Sequence, residues 1–449
     1  MAKTSGAGED VHGQGSAGGM GRAYAVLAVL CLSYMLAAVD RNLLGILVEP
    51  IRKDIPLSDT QFGLLTGFAF VFFYSLFGVP LGRLADRTNR RRLLAVGIGF
   101  WSLMTAMCGA ASGFFMLALG RMGVGVGEAT CLPVSQSLIT DYFTPAQRSR
   151  ALAILTATGF AALPVSGLLV GGLAQAFGWR AALYVLGGAG VCVALLVHFV
   201  IREPVRGGTD VAPADPAIRA PAPSRESIVI AIGDVFSRPN YIPVLLGFTA
   251  AMVGPSVMGA WFAPFIQRSY GMGVAEAGAM IGLFAGLPGI VGALSGGFLA
   301  SYLAKRTGDQ RHTLLIPVVV CSVATVMFGL CIALDSKLAT LVFCALGTLS
   351  ATMMIAPCTA FLLGLAPPAR RALASSLQLL GQNLVAAGLA PLAVGLVSDA
   401  LKETFGVQSL RYAMMVIPVC LLTGVGCMTW ALIRYRRFLA SEATASPAP

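Results

Sequence analysis

Four ionisable side chains stand inside long apolar runs of this 449-residue chain: Asp40 and Arg41, adjacent in one run, and Arg121 and Glu128 in another. Each would cost roughly 2.5 kcal/mol or more at the centre of a bilayer if it faced lipid, so the four are expected to face inward and pair. Seven residues separate Arg121 from Glu128, close to two helical turns, which puts them on nearly the same face about 10 Å apart. One guanidinium shared by two carboxylates can make a proton switch. Removal from water favours a neutral acid and a neighbouring guanidinium favours an ionised one. The acid that holds Arg121 therefore stays charged while the other can take up a proton. If a conformational change alters which acid is held, proton affinity becomes tied to conformation. Asp40, Glu128 and Arg121 are thus the candidate proton-coupling set. Arg41, with Arg121 and Glu128, is the candidate substrate contact, because its fork of donors suits a phosphate or other anionic headgroup. The rival reading is a static network that merely joins two helices; buried ion pairs contribute little stability, and packing does not need them.

The elements that carry these residues are dictated by composition. Charged residues are 11% of the chain and apolar ones 57%, against about 25% charged in soluble domains. That much apolar surface requires a bilayer as the outer solvent. The apolar residues come in runs long enough to span one, at roughly 23–48, 60–83, 92–111, 114–140, 149–176 and 180–201, then 240–267, 275–304, 313–334, 338–364, 370–398 and 409–433. The expected architecture is all-α, with twelve transmembrane helices in two six-helix bundles at 22–202 and 240–437. A disordered cytoplasmic tail at 1–21, a linker at 203–239 and a tail at 438–449 complete it. The linker carries Pro204, Pro213, Pro216, Pro221 and Pro223, a composition that cannot pack a core. Its end, SRESIVIAIGDVFS, reads either as a helix on the membrane surface or as a plain loop. At 1.5 Å per residue, Asp40 lies about 26 Å from the start of span 1 and Arg121 about 10 Å from the start of span 4, which runs the other way. Both then sit at similar depth, and a salt bridge between them is expected.

The net charge of +11 is mainly a topology signal. With both termini cytoplasmic, about 21 Lys and Arg residues fall in cytoplasmic segments and about 7 outside. No aromatic residues interleave the basic clusters as nucleic-acid binding would require. The ten cysteines lie singly in apolar runs, without metal-ligand spacing, and His12, His198 and His312 are scattered. No metal or other cofactor is expected, only a proton gradient. Neither a catalytic Ser/His or paired-Asp set nor a nucleotide-binding loop is found in the spans, so an enzyme is not expected.

The halves echo each other. TDYFTPAQRSRALA follows span 4 and LLGLAPPARRALAS follows span 10; GRLADRTNRRR follows span 2 and GGFLASYLAKRTGDQR follows span 8. A six-span unit repeated in the same orientation is the pattern of a rocking transporter. The stretch Gly82–Arg92 resembles the major facilitator superfamily, whose loop between helices 2 and 3 carries G-x-x-x-D-R-x-G-R-R. Asn89 stands in place of the second glycine and is expected to tolerate a positive φ there. Gly82, Asp86, Arg87 and Arg90 of this loop, with Asp141 and Arg148 beside the following one, are assigned to a cytoplasmic gate. GFAALPVSGLLVGG, Gly159–Gly172, is similar to a degenerate form of the superfamily's antiporter motif. The segments VDRNLLGILVEPIRKDIPLSDTQFGLLTGFAF and GRMGVGVGEATCLPVSQSLITDYF resemble the spinster-like branch. That resemblance implies proton-coupled or facilitated movement of lysolipids and sphingoid lipids, generally outward.

The second half has almost no charge in its spans; Ser256, Cys358, Thr359, Gln378, Gln382 and Asn383 are its polar content. A charged wall facing an apolar one suits an amphiphile with a head and a tail. Phe70, Phe72, Phe73, Tyr74 and Trp261 add aromatic surface, to the cavity or to lipid. The expectation is a monomeric, multi-pass transporter exporting an amphipathic lipid in exchange for protons. The alternatives are a proton-linked porter for organic anions or drugs and, from another class, a membrane-embedded enzyme or receptor.

Overall fold

The structure is a computed structural model that describes residues 16–206, 228–307, 311–367 and 370–445, and among them it is helical throughout, without strands. The expected tails and linker fall in part on residues 1–15, 207–227 and 446–449, which lie outside the described residues.

Ten helical stretches among the described residues are long and apolar enough to cross a bilayer. Two of them run 56 and 62 residues, more than about 80 Å at 1.5 Å per residue against a hydrocarbon core of about 30 Å. Each must therefore turn back on itself. The turns are at Gly178 (φ 84°) and Gly406 (φ 53°), in a region that a side chain strains and glycine does not. Twelve crossings result: α1 (Ser16–Asp54), α2 (Asp59–Arg87), α3 (Arg90–Gly109), α4 (Phe114–Tyr142), α5 (145–177), α6 (179–200), α7 (Tyr241–Tyr270), α8 (274–307), α9 (Arg311–Ala333), α10 (Lys337–Leu365), α11 (371–405) and α12 (409–445). The segment before α7, one of whose two readings was a plain loop, contains a short helix, Ile228–Phe236.

The twofold repeat is written into irregularities of the helices. Both α2 and α8, six crossings apart, contain a π-helical turn, at Leu64–Phe68 and Gly282–Gly286. Both α4 and α10 break near their middle, after Glu128 and after Met353. A longer π stretch, Gln382–Leu389, interrupts α11. Such turns leave the ordinary hydrogen-bond ladder locally unsettled and mark functional positions more often than chance.

Among the described residues the halves meet mainly on one side. Let the near face be the one where α1 starts, and the far face its opposite. One buried apolar cluster runs from Leu43, Leu47 and Ile51 of α1 through Phe62 of α2 into Trp261, Phe262 and Phe265 of α7. It joins the halves toward the far face. A second cluster, from Ala23 and Leu30 to Leu94, Ile98 and Leu138, belongs almost wholly to the first half. The far seams are closed backbone to backbone. A Cβ on Gly67 of α2 would collide with the Gly388 carbonyl of α11, and one on Gly167 of α5 with the Gly278 carbonyl of α8. At the near end of α2, by contrast, nothing lies within 4 Å of where a Cβ on Gly78 or Gly82 would sit, and Val79 is 63% exposed. Among the described residues, the two bundles thus enclose a space that is shut at the far face and open at the near one.

Candidate transport site

Helix α4 positions two of the four charges. Arg121 and Glu128 lie on one buried face, and Glu128 is the last residue before the break. There Thr130 bonds tightly back onto the Gly127 carbonyl, through both its amide and its hydroxyl. Helix α1 brings Asp40 and Arg41 against them, and the pairing that results is specific. Arg41 Nε donates to Glu128 Oε2 at 2.7 Å. Arg121 lies 4.0 Å from Asp40 Oδ1 through Nη1 and donates to the Asp40 carbonyl oxygen at 3.3 Å. Asp40 Oδ2 accepts from Thr105 Oγ1 of α3 at 2.5 Å.

The four charges therefore form two crossed pairs. The Asp40–Arg121 proximity expected from equal depth is present. In this conformation Asp40 is the acid beside Arg121, and Glu128 is held by Arg41, a pairing the sequence reading did not include. The reason is azimuthal. Adjacent residues on a helix point about 100° apart, so Asp40 and Arg41 leave α1 in different directions and meet different residues of α4.

Phe70 of α2 lies between the two cations, its ring centroid 5.0 Å from the Arg121 guanidinium and 5.9 Å from that of Arg41; Tyr74 stands 5.3 Å from Arg41. Aromatic faces stabilise desolvated cations, and this is what Phe70 and Tyr74 add. Phe72, by contrast, is exposed, and Trp261 is fully buried, its Nε1 donating to the Pro391 carbonyl in the far closure. Burial divides the charges further. Arg121 and Glu128 are sealed, whereas the Arg41 side chain keeps 31% of its surface. Asp40 Oδ1, Arg41 Nη2, Glu128 Oε1, and Nε and Nη2 of Arg121 are buried without a hydrogen-bond partner among the described residues. A cluster so incompletely satisfied is costly as a mere strut.

Arg41 faces a cavity in three lobes. The first, about 210 Å³, is lined by Arg41, Asn42, Thr66, Phe70, Ser256 and Pro391 among others. The second, about 310 Å³, lies along Tyr34, Ala38, Arg41, Asn42, Thr156 and Gly159. The third, about 160 Å³, is almost purely apolar and small-residue, from Leu163 and Pro255 to Gly289, Thr348 and Thr352. Arg41, Asn42, Gly159, Pro255 and Gly259 each line two of the three, so the lobes adjoin. The cavity's cation comes from the first half, and the second half contributes mostly Pro, Gly, Ala and Met surface. Of the polar residues read in the second half, Ser256 lines it; Gln378 donates to Thr359 instead.

The near-face residues assigned to a gate divide into two groups. Arg90 is buried at the start of α3 and binds Asp141 (Nη1 to Oδ2, 2.5 Å), Glu203 (Nε to Oε1, 2.8 Å) and Ser137. Arg148 donates from Nε to the Phe143 carbonyl. Gly82, Asp86 and Arg87 instead sit at the open mouth, with Asp86 and Arg87 exposed; Arg206 donates to the Asp86 carbonyl. Asn89 does not adopt the expected positive φ. At φ −72° it caps α3, its side chain accepting from the Arg92 amide, a role for which Asn is among the best residues. Arg90→Ala leaves the Asp141 and Glu203 carboxylates without their shared cation. A loss of about 3–5 kcal/mol is expected, as for other broken buried pairs, and a thermal-melting comparison with Arg87→Ala, which should be nearly neutral, checks it.

A set of residues that sequence reasoning passed over closes the far face: Glu49, Arg52, Asp59, Arg268 and Asp399. Charges near helix ends are ordinary, so no signal in the sequence distinguishes them.

Comparison with known proteins follows the same lines. The family model of the Major Facilitator Superfamily matches residues 30–391. An MFS-type efflux pump of Mycolicibacterium smegmatis is 34% identical over 94% of this chain and 95% of its own length. Human protein spinster homolog 1 is 29% identical over 86% of this chain and 75% of its own. Among solved structures, a bacterial homolog to the human lysosomal transporter Spinster, in an inward-facing and unoccupied conformation, superposes with a TM-score of 0.74 and 26% identity, covering 95% of this chain and 99% of that one.

Proposed function

The chain belongs to the Major Facilitator Superfamily, in its spinster-like branch, and we propose from that premise that this integral membrane transporter moves an amphipathic lipid by a proton-coupled, alternating-access cycle. It is a secondary transporter and not an enzyme. The observation that carries the finer reading is Arg41, held by a fully buried Glu128 on one side and open to a half-apolar cavity on the other. A phosphate headgroup on Arg41 and an acyl chain along Pro255, Met258 and Gly286 fit that asymmetry. The bias of Lys and Arg supports cytoplasmic termini, and hence a cytoplasmic near face; on that reading the conformation is inward-facing.

The pairing also gives the coupling a sign. While Glu128 is ionised it competes with an anionic headgroup for Arg41. A proton on Glu128 removes that competitor, so proton and headgroup assist each other's binding, and by linkage the assistance is mutual. Exchange of lipid for protons, expected from the sequence, would require the two to compete. The crossed pairs favour loading them together, with direction set by the gradients. Asp40, held by Thr105 and Arg121, is the second protonatable group and senses whether α1 and α4 stay in register.

In reconstituted vesicles, lysophospholipid movement should accelerate under a proton gradient, and adding the lipid should move protons. Lysolipid movement indifferent to the gradient would sink the proposal. The similarity to an MFS-type efflux pump favours a second reading, in which small organic anions or drugs take the same Arg41 site. A thermal-shift comparison separates the two: lysolipids stabilise the protein under the first reading, and small organic acids do so under the second.

A further inference from the structure

The far face is held shut by a reciprocal exchange of charge between the two halves. From the first half, the Asp59 carboxylate at the start of α2 receives a two-pronged contact from Arg268 of α7, at 2.8 and 3.0 Å. It also accepts from Ser398 of α11 at 2.5 Å. Arg268 Nε simultaneously donates to Glu49 of α1 at 2.8 Å. From the second half, the Asp399 carboxylate caps the opening turn of α2, accepting from the Asp59 amide at 3.0 Å and the Thr60 amide at 2.7 Å. Those amides have no partner inside the helix and sit at the positive end of its dipole, so a carboxylate there is favoured. Each half thus supplies an anion to the other. Arg52, from the first half, braces Asp59 at 2.5 Å.

We infer that this exchange is a latch, separate from the Arg41 site, whose opening sets how readily the transporter exposes its cavity to the far side. Three features make it more than incidental surface pairing. Asp59 and Arg268 keep only 6% and 16% of their side-chain surface, so solvent screens them little. The Arg268 contact is bidentate, the geometry that gives arginine–carboxylate pairs their strength and directionality. Every contact except the Arg52 brace crosses between halves, so all must be lost together when the far face opens. Gly395 of α11 lets the arrangement seat, because a Cβ there would collide with the Asp59 carbonyl.

The test is a distance measurement without any substrate, so its failure is distinguishable from failure of the lipid reading. Spin labels go on Phe115→Cys and Leu338→Cys, exposed positions at the far ends of α4 and α10, with Cys31, Cys192, Cys420 and Cys427 replaced by alanine. The parent protein is expected to give a single short-distance population. Arg268→Gln and Asp399→Asn should each raise the long-distance population about 5- to 150-fold, the range of ordinary conformational couplings. Arg268→Gln combined with Asp59→Asn should exceed Arg268→Gln alone only by what the Ser398–Asp59 contact contributes, since the arginine–carboxylate contact is already gone. Lys337→Gln breaks an exposed pair with Glu276 inside the second half and should leave the distribution as in the parent. Well-folded Arg268→Gln and Asp399→Asn proteins with the parent's distance distribution would overturn the latch, as would Lys337→Gln opening the far face equally.

Discussion

Glu128→Gln is expected to uncouple transport from pH while leaving binding intact. The amide cannot hold Arg41 as a carboxylate does, so Arg41 stays released to the cavity at every pH. For the parent protein, headgroup affinity should rise as pH falls, because protonation of Glu128 frees its partner cation. A coupling of about 1–3 kcal/mol corresponds to roughly a 5- to 150-fold change in affinity between the two protonation states. In Glu128→Gln that dependence should vanish, with affinity fixed near the low-pH value. Arg41→Ala should remove affinity itself, by about 1.5–3 kcal/mol, the range for a charge-assisted hydrogen bond. Binding isotherms for a fluorescent lysophospholipid at several pH values, in detergent, read both effects. A Glu128→Gln protein whose affinity still followed pH would assign the proton elsewhere, and Asp40 would be the remaining acid of the cluster.

Gly67→Ala should act on the conformational balance with no change in charge. The added methyl meets the Gly388 carbonyl, and neither backbone can step aside without parting α2 from α11. Overpacking of this kind costs about 1–3 kcal/mol. Here the cost falls on the far-closed state alone, because that is where the seam exists. The result expected is a lower melting temperature and faster labelling of a cysteine placed at Ser256, a cavity residue, by an impermeant maleimide added from the far side. Gly188→Ala on the exposed side of α6, where nothing lies within 4 Å of the new methyl, should leave both readings unchanged. Equal labelling in both variants would mean the seam does not control access.

Much of the architecture was legible because the bilayer is a severe solvent. It demands apolar runs of a particular length and makes any buried charge conspicuous, so the spans and the quartet Asp40, Arg41, Arg121 and Glu128 could be read directly. The turns at Gly178 and Gly406 fall between the ends expected for spans 5 and 6 and for spans 11 and 12. The break after Glu128 was not legible, since GVGVGEATC is compatible with a continuous helix. Nor were the π turns of α2, α8 and α11, whose residues are ordinary helix formers and small side chains.

Composition and spacing alone established that this chain crosses a membrane many times, that its halves repeat, and that four charges must meet between its first and fourth helices. Only the tertiary structure decided who meets whom. Which acid Arg41 takes depends on how α1 is rotated against α4, and the far-face latch depends on α7 and α11 reaching the start of α2 across more than two hundred residues of chain. Hydrophobic burial reads from sequence because it depends on how many apolar residues are present and in what order. Ion pairing does not, because it depends on angles and distances of an ångström or so that only packed helices set.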